Sequence, residues 1–156
     1  MDLDGKPRIL DGIVDRGAYE QYPPDQDSDG DGLPDGWEWQ YYGGVTNAQP
    51  NAVGADGLFS NMNHYIAGTD PHEPDSYPKF EDILVGEADD EGKVVLHWTS
   101  YPCRIYSLYR CNDLTAGVFY LIESNLLATS PENKYIDLVA AGPGPWTYRL
   151  GIRLAE

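Results

Sequence analysis

Basic residues are scarce in this sequence: its 156 residues carry 10 Lys and Arg against 26 Asp and Glu, a net charge of −16. That balance excludes the electrostatic footprint of a nucleic-acid binder, or of a protein held on an anionic membrane surface. Cysteine is nearly absent, and two residues are too few for a disulfide-built scaffold. No apolar run approaches the ~18 residues of a membrane span, so no membrane insertion is expected. The start, Met1-Asp2-Leu3-Asp4, is acidic where a secretory leader is basic and then apolar, so no signal peptide is read at the start of this chain. Turn formers, by contrast, are plentiful. Gly and Pro together make up 29 of the 156 residues, above the usual ~12%, which predicts short elements joined by many turns.

The acidic residues are concentrated in one half. Residues 1–76 hold 15 Asp and Glu against 3 Lys and Arg, whereas residues 77–156 hold 11 against 7. So acidic a segment repels itself unless its charge is solvated or neutralised, and a bound divalent cation is the simplest neutraliser.

Three regions follow from composition and pattern. In residues 1–20 the pairs Ile9-Leu10 and Ile13-Val14 are separated by Asp11-Gly12, which reads as brief strands joined by turns. Residues 21–76 are bounded by Pro23-Pro24 and by Pro71, Pro74 and Pro78. Inside them, Asp31-Gly32-Leu33 and Asp56-Gly57-Leu58 each precede a helix candidate, residues 37–42 and 60–67, that ends at a glycine, Gly43 or Gly68. This is a degenerate loop-and-helix repeat with glycine C-terminal caps. Residues 77–156 read as β: runs at 93–98, 104–109 and 118–122, and a strict alternation at 147–154 that sets Tyr148, Leu150, Ile152 and Leu154 on one face. Five to seven short strands separated by turn clusters, one of them at Ser130-Pro131-Glu132-Asn133, predict a small antiparallel β-sandwich.

One motif is specific. Asp27-Ser28-Asp29-Gly30-Asp31-Gly32-Leu33-Pro34-Asp35-Gly36-Trp37-Glu38 matches the calcium-loop pattern D-x-[DN]-x-[DN]-G-x5-E without a gap. Ca²⁺ is a hard ion that takes six to eight oxygens at ~2.3–2.6 Å. Carboxylates at Asp27, Asp29 and Asp31 can converge as the loop coils, with Gly32 permitting the sharp turn. Leu33 offers its carbonyl, Asp35 a direct or water-mediated contact, and Glu38 both carboxylate oxygens from the first turn of the next helix. An Asx-turn-rich loop explains one or two such aspartates, not five acids in register with a glycine. The second loop is poorer. Aligned on Asp56-Gly57, its corresponding places are Ala52, Gly54, Asp56, Ser60 and Asn63, so it is expected to serve as a turn and N-cap, with a second ion in doubt.

These residues carry a resemblance. The loop from Asp27 to Glu38, with Ser60-Asn61 and Tyr65-Ile66-Ala67-Gly68-Thr69-Asp70-Pro71, resembles the thrombospondin type 3-like and dockerin-like calcium repeats of secreted bacterial proteins. In such repeats a glutamate stands where this chain has His64. Asp2-Leu3-Asp4-Gly5 and the run from Asp11 to Glu20 resemble the closing coil of secreted right-handed parallel β-helix proteins. The resemblance implies that residues 1–20 are the remnant of a longer parent's coil, that Met1 does not mark the parent's natural start, and that the parent is extracellular or on the cell surface. It also implies a terminal β domain after the repeats.

Motifs of catalysis are absent from residues 79–156: no G-x-S-x-G, H-E-x-x-H or P-loop spacing occurs. His97 lies out of phase with Val94, Leu96 and Trp98 and is expected at the surface. Trp98 and Tyr148 are expected in the core, and the crowded Trp37, Trp39, Tyr41 and Tyr42 are expected to join the calcium module to its neighbours. The sequence therefore predicts a mainly β chain with an N-terminal β-coil remnant (residues 1–20), a calcium loop-helix module (21–76) and a β-sandwich (77–156). Its expected role is a non-enzymatic, calcium-stabilised anchoring or adhesion segment. Self-association through the N-terminal coil and a cell-surface or polysaccharide partner are the expected contacts, and a carbohydrate-binding module is the second reading. Cys103 and Cys111 flank one continuous strand, ~26 Å apart at ~3.3 Å per residue, beyond the reach of a disulfide. Both are therefore expected as partly buried free thiols.

Overall fold

The computed structural model describes the backbone of Ile9–Leu10 and Ile13–Val14 and, in full, residues 25–85, 92–140 and 144–155. Strands β1 (Ile9–Leu10) and β2 (Ile13–Val14) pair antiparallel as a small hairpin, Ile9 opposite Val14 and Leu10 opposite Ile13. The remainder of the expected coil over residues 1–20 lies outside the described residues. Two short helices follow, α1 (Asp35–Tyr42) and α2 (Asn61–Ala67), each closed by a left-handed glycine, Gly43 and Gly68, whose N–H donates back to the carbonyl four residues earlier. The Ser60 hydroxyl caps α2 by accepting from the Asn63 N–H at 3.3 Å.

Six strands form the rest: β3 (Phe80–Val85), β4 (Val94–Thr99), β5 (Arg104–Cys111), β6 (Tyr120–Leu127), β7 (Glu132–Asp137) and β8 (Thr147–Leu154). They make two three-stranded antiparallel sheets, ordered β3-β4-β7 and β6-β5-β8, as expected of a small β-sandwich. The shared core draws Val94, Leu96 and Trp98 from β4, Tyr106 and Leu108 from β5, and Tyr148 from β8. Trp98 and Tyr106 meet edge to face at 5.6 Å, and Phe80 meets Trp98 at 6.2 Å and Tyr148 at 6.4 Å. Such pairs add to the area that burial already removes from water. On β8 the alternation holds, with Arg149 and Arg153 exposed between the inward residues.

Several sequence expectations need correction. The predicted turn at residues 130–133 instead leads directly into β7, which begins at Glu132. Periodicity missed this strand because its buried positions are polar. Asn133 donates to the Leu127 carbonyl and accepts from the Thr129 N–H. Asp137, 2% exposed, accepts two bonds from Arg110 Nη1 at 2.9 and 2.7 Å, a third from the Tyr148 hydroxyl and others from the Val139 and Ala140 N–H groups. Burial and the adjacent Asp137 carboxylate push the Tyr148 phenol well up. Strand β6 runs past the predicted end at residue 122, through a bulge opposite Ser107 where Asn125 adopts a φ of 58°. Cys103 and Cys111 are free, but only Cys111 is buried, whereas Cys103 is exposed. His97 lies at the partly exposed surface, its Nδ1 2.6 Å from Glu132 Oε1.

Arg104 and Tyr101 are among the residues that tie the helices to the sheets. Arg104, at the start of β5, donates from Nε to the Ile66 carbonyl at 3.1 Å and from Nη2 to the Tyr65 carbonyl at 2.7 Å. These are carbonyls of the last turn of α2, where a cation is favoured. Gly68 packs against Tyr101 so closely that a Cβ would stand 2.9 Å from the Tyr101 Cβ.

Candidate metal centre

The loop from Asp27 to Glu38 is wound by its own side chains. Asp27 accepts from the Gly30 N–H through Oδ1 and from the Gly32 N–H through Oδ2, both at 2.9 Å. Asp29 accepts from the Asp31 N–H at 3.3 Å, and Asp31 from the Leu33 N–H at 2.8 Å. Gly30 and Gly32 have φ of 75° and 95°, backbone that a side chain adopts only under strain, and this is what lets the loop coil. The Gly32 N–H, with a smaller contribution from Gly30, holds the Asp27 carboxyl below the usual carboxylate range.

Asp27, Asp29 and Asp31 each place a carboxylate oxygen within 4.8 Å of the others. The other sequence candidates are buried. Leu33, Asp35 and Glu38 are each 0% exposed. The Asp35 carboxylate closes the loop by accepting from the Ser28 N–H at 2.7 Å and the Ser28 hydroxyl at 2.6 Å, while its own N–H donates to the Gln26 carbonyl at 2.8 Å. Glu38 accepts at Oε1 from the Ala48 N–H, 3.2 Å away. Asp35 and Glu38 are not drawn into the triad itself.

Glu38 is the informative group. Its Oε2 is buried without a hydrogen-bond partner. Burial first, and then the charges of Asp29, Asp31 and Asp35, push its carboxyl up to about 7, against the opposing Ala48 N–H. A buried carboxylate beside three others is costly unless a cation compensates it. The donor set is oxygen throughout, the hard chemistry that suits Ca²⁺ better than a softer ion. Asp27, Asp29, Asp31 and Glu38, with the Leu33 carbonyl, are the groups that could hold it, Asp35 having to share oxygens already bonded to Ser28.

Among the described residues, Trp37, Tyr41 and Tyr42 of α1 make ring contacts with each other, with α2 and with His72, while any contact with residues 1–20 lies outside the described residues. Trp37 packs on Tyr41, Tyr42 and Tyr65 with ring centroids 5.0, 5.8 and 6.3 Å away, and Tyr42 meets His72 at 4.9 Å. The Tyr42 hydroxyl donates to the buried Asn61 Oδ1 at 2.6 Å. Among the described residues, Trp37 and Tyr42 thus bind α1 to α2, and Tyr41 lies within electrostatic reach of Tyr101 and Arg104.

Sequence reading passed over one buried pair. Asp56 and His64 have fully buried side chains, with His64 Nε2 3.7 Å from Asp56 Oδ1. Burial alone would raise the Asp56 carboxyl, but the N–H groups of Leu58 and Phe59, with His64 beside it, hold it down. The signal available was the one histidine standing where the resembling repeats carry an acid. No protein-family model, curated protein or solved structure matches this chain.

Proposed function

We propose that this chain is a calcium-stabilised structural segment of a secreted or cell-surface bacterial protein, serving anchoring or adhesion without catalysis. One observation carries the calcium reading: the buried, unpartnered Glu38 Oε2 at the end of a loop that already gathers three aspartate carboxylates. The loop's charge is the reason calcium and fold are linked. The ion binds only the coiled loop, so it stabilises the folded state by an amount set by its concentration over Kd. Extracellular modules bind at roughly 10⁻⁴–10⁻³ M. Calcium at a hundred times Kd then adds about 2.7 kcal/mol.

The arrangement suits a stiff connector. Helix α1 grows directly out of the loop, aromatic rings bind it to α2, and Arg104 binds α2 to the sheets. In this reading residues 1–20 are the end of a parent β-helix and the point of self-association. The second reading, a carbohydrate-binding module, needs an exposed flat platform of rings. The rings about Trp37 are instead inclined at 41° to 67° to one another, and Trp98 and Tyr106 are fully buried, so the structural role is favoured. The test is a melting curve with calcium and with excess chelator. The reading predicts a midpoint higher by about 5–10 °C with saturating calcium, the shift expected for a gain of that size in a chain of this length. Coincident curves would overturn it.

A further inference from the structure

The chain contains its loop and helix twice, and the two copies can be matched by their bonds rather than by their letters. The Asp35 N–H donates to the Gln26 carbonyl at 2.8 Å, and the Asn61 N–H donates to the Ala52 carbonyl at 2.9 Å. Asp31 accepts from the Leu33 N–H at 2.8 Å, and Asp56 from the Leu58 N–H at 3.0 Å. Gly32 and Gly57 follow with φ of 95° and 70°. Each helix starts from an extended cap residue, Pro34 or Ser60, and ends on a left-handed glycine. Counting from the helix starts sets Asp35 against Asn61 and Glu38 against His64. All four are buried, at 0%, 1%, 0% and 0% exposure. Counting from the Asp-Gly pair instead puts Asn63 opposite Glu38, because the second copy has one more residue between its aspartate and its helix.

This pairing changes what the second loop needs. In the first, the fourth helical residue brings another carboxylate towards Asp29, Asp31 and Asp35. In the second, the same place brings an imidazole towards Asp56, the only acid between residues 39 and 69. Asp56 Oδ2 and His64 Nε2 are both buried without a hydrogen-bond partner, and Nε2 lies 3.7 Å from the other carboxylate oxygen, Oδ1. The ring is fixed from behind by Thr69, whose Oγ1 is 2.8 Å from Nδ1, and flanked by Phe59 edge to face at 6.4 Å. Gly54 clears the space: a Cβ there would stand 2.5 Å from His64 Nε2 and 2.9 Å from the Pro71 carbonyl oxygen. A ligating side chain in place of Gly54 has no room beside the ring.

We infer that the His64 ring stands in the second loop where the ion stands in the first, so that this loop keeps its fold without metal and the two loops together take a single calcium ion. The contrast between the loops rests on the calcium reading of the first, but the metal independence of the second does not. Amide hydrogen exchange on the full chain, in metal-stripped buffer and in excess CaCl₂, reads each loop separately. Calcium should protect the Gly30, Gly32 and Leu33 amides by at least ~10-fold, while those of Leu58, Phe59 and Asn61 change by less than ~2-fold. His64→Glu, which recreates a buried carboxylate beside Asp56, should make the second set calcium-dependent as well. If that variant does not fold, His64→Gln, which keeps an N–H and adds no charge, should retain calcium-independent protection. Calcium-dependent protection of Leu58 and Phe59 in the native sequence or in His64→Gln, or its absence in a folded His64→Glu, would overturn the inference. Insensitivity of the first-loop amides alone would overturn the calcium reading and the contrast between the loops, and leave only the metal independence of the second loop standing.

Discussion

Glu38 converts the calcium argument into a pH experiment that needs no calcium. Without metal, its carboxyl titrates near about 7 in the folded chain against 4.5 when unfolded, chiefly because it is buried. The folded state therefore binds the proton more tightly, so this group's contribution is fully present below pH 4.5 and is lost as pH rises to about 7. A shift of that size corresponds to about 3 kcal/mol. Glu38 has no surface exposed, but Asp29 and Gly30 of its loop are exposed, so screening by solvent reduces the figure to roughly 2 kcal/mol. Urea unfolding of the native sequence and of Glu38→Gln, both in metal-stripped buffer at pH 5 and pH 8, isolates the effect, since the remaining acids are common to both. The native chain should lose roughly 2 kcal/mol more than the variant between the two pH values. Parallel losses would mean that Glu38 is not a buried, uncompensated acid, and the argument for a cation would lose its main support.

Three further outcomes follow from the bonds between elements. Arg104→Ala removes both donors to the α2 carbonyls and should cost about 1.5–3 kcal/mol, with exchange of α2 amides quickening more than that of β5, read by the same amide-exchange method. Asp137→Ala leaves the half-buried Arg110 without its carboxylate and should cost about 3–5 kcal/mol by denaturant midpoint; a loss under ~1 kcal/mol would contradict the network described. A thiol reagent should label one cysteine rapidly in the folded chain, the exposed Cys103, and the buried Cys111 only on unfolding, whereas two fast thiols would place Cys111 at the surface.

Legibility in the sequence tracked how far each element depends on local pattern. The Asp27 to Glu38 loop was readable because its ligand spacing and glycines are local properties, and the structure gathers Asp27, Asp29 and Asp31 as that spacing implies. Strand β8 was readable to its ends because one face is apolar and the other charged. Strand β3 was missed because, as an edge strand with five of six residues exposed, it has no buried face to impose alternation. Strand β7 was missed for a different reason: its inward positions are the polar Asn133 and Asp137, the first satisfied by Leu127 and Thr129 and the second in part by Arg110 and Tyr148 from other strands. The aromatic residues of α1 suggested an interface, but only the fold could say that α2 lies on the other side of it. His64 was visible as a departure from the resembling repeats; its pairing with Asp56 depends on a single added residue between Gly57 and α2, a register that letters alone misplace.

Isothermal titration of the full chain with CaCl₂ near neutral pH tests the central claim most directly. The account predicts one ion per chain, bound at roughly 10⁻⁴–10⁻³ M, with binding weakened in Glu38→Gln and in Asp31→Asn while both variants stay folded. No binding heat at millimolar calcium from a folded chain, or binding unchanged in both variants, would contradict it.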